Sequence, residues 1–193
     1  MATSIITKSI MLLSGFIMMG TAFAKELPPP AYQLAAKMGG VPADMLYSIA
    51  LAESGMKIGT KIRPWPWTLN VAGEARRFKT QQAACQNLKL TLRTVSAKRI
   101  DVGLAQVNYG YHRHRVSDPC DLLDPYRNLS IAASILREHY LKDSTSGWLI
   151  AAGRYHHPAG GTHAARYRAS VQKQLIRIGY NSQYASFPKA SQI

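Results

Sequence analysis

A carboxylate on the apolar face of a short helix is the feature of this sequence best suited to chemistry. Leu46, Ile49 and Ala50 share one helical face, and Glu53 continues that stripe seven residues after Leu46. Burial disfavours the charged form of a carboxyl group, and the negative end of the helix dipole opposes that charge further. Both effects raise a pKa, as a general acid working near neutral pH requires. Local sequence alone equally allows the helix to fray at Ser54 and Gly55 and leave Glu53 in solvent. Asp101 is a second carboxylate, His112 and His114 stand near Asp118, and His156 adjoins His157. None of these histidines has the spacing of a recognised metal motif, such as two histidines and a glutamate on one helix, so no metal or other cofactor is expected.

Periodicity and breakers define the elements that must position these groups. After Pro28-Pro29-Pro30, residues 32–38 read as a helix stopped by Gly39-Gly40. The Glu53 helix starts at Pro42 or Asp44, both suited to a first turn, and runs to Ser54, where Gly55 supplies a stop. Residues 67–71 alternate and face 74–78 across Ala72-Gly73, a small β-hairpin. Residues 80–95 read as a helix with Thr80 as its cap. The glycine-containing, mostly apolar stretch 101–108 reads as a strand or tight loop inside the domain. Helices follow over 129–142, 147–155 and 163–178, with Tyr140 and Trp148 assigned to the core. The pattern predicts one mainly α, α+β domain over residues 25–180, without internal repeats, and a loose polar tail at 181–193.

The chain begins with one charge, Lys8, an apolar run over 10–19 and the close Ala22-Phe23-Ala24. This is the pattern of a secretory signal peptide cleaved after Ala24, and the run is short for a bilayer span. No cysteine follows for a lipid anchor. The cleaved protein is therefore expected in the periplasm and not in the membrane. Removing Lys8 leaves 23 basic against 10 acidic residues, a balance of +13 that favours an anionic partner. For an exported protein that partner is an envelope polymer, and no stable nucleic-acid partner is expected. Cys85 and Cys120 are the only cysteines, and an oxidising compartment favours a bond between them, although two buried thiols fit the sequence as well.

Three segments resemble the lytic transglycosylases, whose domains have a lysozyme-like fold. Ala50-Leu51-Ala52-Glu53-Ser54-Gly55 is similar to the family's glutamate-serine motif at a helix end. Gly103-Leu104-Ala105-Gln106-Val107-Asn108 is similar to its glycine-leucine-methionine-glutamine-x-asparagine motif, with Ala105 in the methionine's place. Gly153 to Gly160 is a looser match to an alanine-tyrosine-asparagine-alanine-glycine pattern, in which His156 replaces the asparagine. The resemblance spans roughly residues 30–178. It implies that Glu53 protonates the glycosidic oxygen between N-acetylmuramic acid and N-acetylglucosamine in peptidoglycan. As carboxylate, Glu53 then takes a proton from the muramic acid 6-hydroxyl, which closes a 1,6-anhydro ring without water. It also implies substrate-side roles for Ser54, Gly103, Gln106, Asn108 and Tyr155, with the Tyr155 hydroxyl approaching Glu53. The stretch from Arg63 to Val71 is similar to one in small transglycosylases linked to conjugation and specialised secretion, which implies a secretion or conjugation apparatus as partner. Trp65, Trp67, Tyr109 and Tyr111 lie beside these motifs as candidates for stacking on sugars.

Competing readings stay open at this level. The 103–112 segment also resembles goose-type lysozymes, and Asp101 could hold a water for hydrolysis opposite Glu53. A basic, non-catalytic module gripping glycan strands would satisfy the charge alone. Product mass separates the first pair, and activity on purified walls separates the second.

Overall fold

A computed structural model describes residues 25–180; the leader expected at 1–24 and the tail expected at 181–193 lie outside these described residues. The described chain runs α1 (Pro30–Gly39), α2 (Ala43–Ser54), β1 (Gly55–Ile58), β2 (Lys61–Pro64), β3 (Thr68–Val71), β4 (Glu74–Arg77) and α3 (Gln81–Thr91). It continues through β5 (Ile100–Val102), β6 (Val107–Asn108), α4 (Tyr109–His112), α5 (Pro125–Lys142), α6 (Gly147–His156) and α7 (Gly161–Arg177), with short 3-10 turns between. This is the mainly helical α+β architecture that the sequence predicts.

Helix α2 is the axis of the helical part. Met45, Leu46, Tyr47, Ser48, Ile49, Ala50 and Leu51 are all buried, so this helix has no solvent face over those turns. A helix apolar all round must lie inside a shell. That shell is α1, α5, α6 and α7, which pack against it or against one another. Tyr140 of α5 and Trp148 of α6 are both core residues, and their rings stack at 3.8 Å.

Strands β4, β3, β5 and β6 form an antiparallel sheet in that spatial order. The expected hairpin is β3–β4, with Thr68 opposite Arg77 and Val71 opposite Glu74. Strand β5 then pairs with both β3 and β6, so Asp101 sits between Asn70 and Asn108. The stretch read as a strand or tight loop is in fact both, two short strands joined by a turn.

Helix ends shift by one or two residues at α1, α6 and α7, and three differences from the sequence reading are larger. Gly55 does not stop the chain but turns it: its backbone is extended (φ −53°, ψ 128°) and opens β1, which pairs with β2 in a second hairpin. A Cβ there would overlap the Leu51 carbonyl, so the helix-to-strand corner requires glycine. Helix α5 starts at Pro125, four residues earlier than 129, because Asp124 caps it by accepting from the Arg127 amide at 2.8 Å. Helix α3 is capped by Thr80 as expected, at 3.1 Å from the Ala83 amide, but ends at Thr91 in tightened turns rather than at 95.

Two long-range ties close the domain. The Glu26 carboxylate accepts from Arg63 at 2.6 Å and Tyr47 at 2.8 Å and lies 3.7 Å from Arg177, so the start of the described chain is joined to β2, α2 and α7. Cys85 of α3 and Cys120 of the turn at Pro119–Leu123 form a disulfide across 35 residues, with Cα atoms 5.2 Å apart. Closing a loop of that length in the unfolded chain stabilises the fold by about 3–4 kcal/mol. Replacing both cysteines by serine should therefore lower the denaturation free energy by roughly 2–4 kcal/mol in urea titrations. A loss below about 0.5 kcal/mol would show that the bond only fastens parts already held.

Candidate active site

Glu53 lies in the last turn of α2, and its side chain keeps 15% of its surface. The helix does not fray: the next residue, Ser54, is fully buried. Its hydroxyl donates to the Leu104 carbonyl at 2.6 Å, with the Ala50 carbonyl a longer alternative at 3.2 Å. Burial pushes the Glu53 carboxyl up to about 8; the Tyr167 hydroxyl offsets part of the rise and the Asp101 charge adds to it. Glu53 is thus a neutral acid near pH 7, the state from which it can donate.

The turn between β5 and β6 wraps around the end of α2. Gly103 has φ +85°, and a Cβ there would overlap the Asn128 side chain and the Leu122 carbonyl. Asn128 is the clamp. From the start of α5, at 1% exposure, it accepts from the Ala105 amide at 2.9 Å and donates to the Val102 and Leu122 carbonyls at 2.8 and 2.9 Å. A buried amide with three such bonds fixes the turn more firmly than side-chain packing alone.

The residues assigned to substrate by resemblance lie at this turn and at the end of α2. Ser54 is enclosed and pins the turn to α2. Gln106, itself at φ +46°, donates through its amide to the Thr68 and Gly103 carbonyls at 3.1 and 2.7 Å. Asn108 donates to Asp101 at 2.8 Å and to the Lys98 carbonyl at 2.9 Å, and it accepts from the Tyr111 amide at 3.2 Å. Gly103 answers to the approach of Asn128. Ser54, Gln106 and Asn108 thereby satisfy backbone groups around a left-handed turn. Tyr155 holds the same turn. Its hydroxyl donates to the Ala105 carbonyl at 2.8 Å, although the Glu53 and Asp101 charges both act on it.

Tyr167 of α7 also stands beside Glu53. It faces the carboxyl closely enough to lower its pKa, yet its buried hydroxyl completes no well-formed hydrogen bond. Sequence reasoning missed it because Ala164, Tyr167 and Val171 lie at helical spacing and are all buried, which reads as core. His156 stacks on the Tyr167 ring at 4.5 Å and 2°, and its Nδ1 stands 3.9 Å from Glu53 Oε1. Burial raises the Asp101 carboxyl too, but the Asn108 amide opposes that rise. Trp65 and Trp67 pack edge to face at 5.8 Å, and the Trp65 indole donates to the Phe78 carbonyl at 2.7 Å. Tyr111 remains 61% exposed. Among the described residues no group of three or more histidine, cysteine, aspartate or glutamate side chains is placed to hold a metal ion.

The arrangement is a neutral, sheltered carboxylic acid with an unpaired phenol at its side and a second carboxylate acting on it. It can deliver a proton to a bridging oxygen and take one back. Residues 30–178 match the family model described as the transglycosylase SLT domain, a span that contains every group named above. No curated protein and no solved structure matches the chain.

Because the folded carboxyl titrates near 8 and the unfolded one near its ordinary 4.5, the folded chain holds a proton that the unfolded chain releases between those values. Stability from this group is intact below about pH 4.5 and falls as pH rises toward 8. Glu53→Gln should therefore match the parent's stability near pH 4 and exceed it near pH 8 by up to about 4 kcal/mol. Equal urea midpoints at both pH values would show that the carboxyl is not held neutral. Asn128→Ala should cost roughly 2–4 kcal/mol by leaving three buried backbone groups unpaired, which thermal denaturation measures.

Proposed function

The chain belongs to the transglycosylase SLT domain family, and on that premise we propose that it is an exported peptidoglycan lytic transglycosylase with Glu53 as its one proton-transferring group. The observation that carries the reading is the Glu53 carboxyl, sheltered at the end of α2 and raised to about 8. In the neutral form it protonates the oxygen linking N-acetylmuramic acid to N-acetylglucosamine as that bond breaks. The carboxylate so formed accepts the proton of the muramic acid 6-hydroxyl while that oxygen bonds to the anomeric carbon. Glu53 ends each turnover protonated, as it began. The proton balance needs no second carboxylate and no water.

Tyr167 supports both halves of this cycle. A phenol beside the carboxyl stabilises the anion that appears after proton donation. The rigid wall made by Ser54, Asn128 and Tyr155 keeps the acid from swinging away as its charge changes. The +13 balance of the residues after Ala24 suits a polymer whose stem peptides carry carboxylates.

Export rests on the leader-like pattern of residues 1–24, with the periplasm as destination. Among the described residues no helix is long and apolar enough to cross a membrane. Service to a conjugation or secretion apparatus rests on the stretch from Arg63 to Val71, which in the structure runs through β2 to β3 and ends in the sheet.

Asp101 supports a second reading, since its charge acts on Glu53 and hydrolysis would need a carboxylate to hold water. Mass spectrometry of digested sacculi decides between them. The parent should release fragments ending in anhydromuramic acid, one water lighter than hydrolysed ones, and Glu53→Gln should release none. Asp101→Asn should retain the anhydro product with turnover reduced less than about tenfold. Reducing ends alone from the parent, lost in Asp101→Asn, would establish hydrolysis instead. Parental activity should also fall as pH rises through about 8, where Glu53 loses its proton.

A further inference from the structure

His156 combines a settled ring geometry with two unengaged ring nitrogens and an edge open to solvent. Its ring lies flat on Tyr167, 4.5 Å between centroids and 2° between planes, so stacking fixes the direction in which its edge points. That edge meets Glu53, with Nδ1 3.9 Å from Oε1. The gap is too long for a hydrogen bond. It is wide enough for one hydroxyl oxygen to sit in a bent bridge at ordinary hydrogen-bond distance from both groups. Half of the His156 side chain is open to solvent, so a ligand can reach it, and Glu53 beside it is largely shielded.

Partial burial, with His157 and His163 nearby, holds the imidazole below its ordinary pKa, which leaves it neutral near pH 7. A neutral imidazole has one N–H donor and one acceptor. Neither nitrogen of His156 has a hydrogen-bond partner within the described residues, although its neighbour His157 bonds Gly160 through Nδ1 at 2.9 Å. The other amides at this site are engaged: those of Gln106, Asn108 and Asn128 hold backbone or Asp101.

We propose that His156 holds the muramic acid 6-hydroxyl against Glu53, and so favours ring closure over attack by water. The inference rests on the transglycosylase reading above. In the tautomer with hydrogen on Nδ1, His156 donates to one lone pair of the 6-oxygen. The second lone pair forms the bond to the anomeric carbon, and the hydroxyl hydrogen passes to the Glu53 carboxylate. His156 neither gains nor loses a proton in this step. Its contribution is orientation of the internal nucleophile, the kind of effect that a displacement of about 1 Å erases by up to about a hundredfold.

The test compares the parent with His156→Ala and His156→Asn on purified sacculi, reading turnover, the ratio of anhydro to reducing ends and thermal stability. In His156→Ala the bridge is lost. Turnover should fall about tenfold or more, and the anhydro share should drop at least about twofold as water enters. His156→Asn keeps an N–H donor and should recover part of both. A His156→Ala enzyme with parental turnover and products overturns the proposal. So does one that slows with an unchanged product ratio and a lowered melting temperature, because that is a packing role. A His156→Asn enzyme no better than His156→Ala overturns the donor role. A parent that yields only reducing ends defeats the transglycosylase reading itself and this inference with it.

Discussion

Everything at this site follows from keeping one carboxylic acid uncharged at the wrong end of a helix. The carbonyl end of α2 carries partial negative charge, so an ionised Glu53 is opposed there by the dipole as well as by burial. A protein built only for stability would not put a carboxyl there, or would pair it with arginine. The chain carries 24 lysines and arginines, yet among the described residues the only basic side chain within 4 Å of Glu53 is the histidine at 3.9 Å. Excluding strong cations from this one position leaves the acid neutral, and the rest of the site supports that condition.

That support comes from hydrogen bonds that never reach the carboxyl. Ser54 binds the turn to α2, Asn128 binds it to α5, and Tyr155 binds it to α6. Three helices thus hold one short turn by its backbone, at Leu104 and Ala105. The disulfide anchors the chain segment that supplies the Leu122 carbonyl to Asn128. A wall anchored from so many directions resists displacement beside a carboxyl whose charge changes, and that rigidity is what preorganised catalysis asks of a scaffold.

Elements with strong local signals were legible in the sequence. The α2 stripe, the Thr80 cap and the β3–β4 hairpin all came from residues close together in the chain. The Asp124-Pro125 start of α5 is an equally local signal, but the sequence reading began this helix at 129 with its apolar run. The β1–β2 hairpin was not legible, because Gly55 has one spelling for a helix stop and for a helix-to-strand corner. Polar roles were hardest to read. Ser54 and Leu104 lie 50 residues apart, as do Tyr155 and Ala105, and no local pattern tells a hydroxyl that will bind backbone from one that will face a sugar. Gln106 and Asn108, read as sugar ligands, also bind backbone, which their spacing does not reveal. Tyr167 failed in the opposite direction, a site residue disguised by core spacing.

Asp101 shows how two carboxylates can share a site without sharing the chemistry. Burial raises both, so neither is an ordinary surface acid. The difference lies in their partners. Asp101 accepts from the Asn108 amide at 2.8 Å, a bond that favours its charged form, whereas Glu53 has only the incompletely engaged Tyr167 hydroxyl. The charge therefore settles on Asp101, and its field makes a second ionisation at Glu53 harder. Separate titration of paired acids is how one group is kept protonated at neutral pH. On this account Asp101 helps keep Glu53 protonated by being an anion fixed in the β-sheet, and it does so whether or not a water ever stands between them. Asn108, read from sequence as a sugar ligand, also acts on Glu53 through that same bond: by favouring the charged form of Asp101, it helps keep Glu53 protonated.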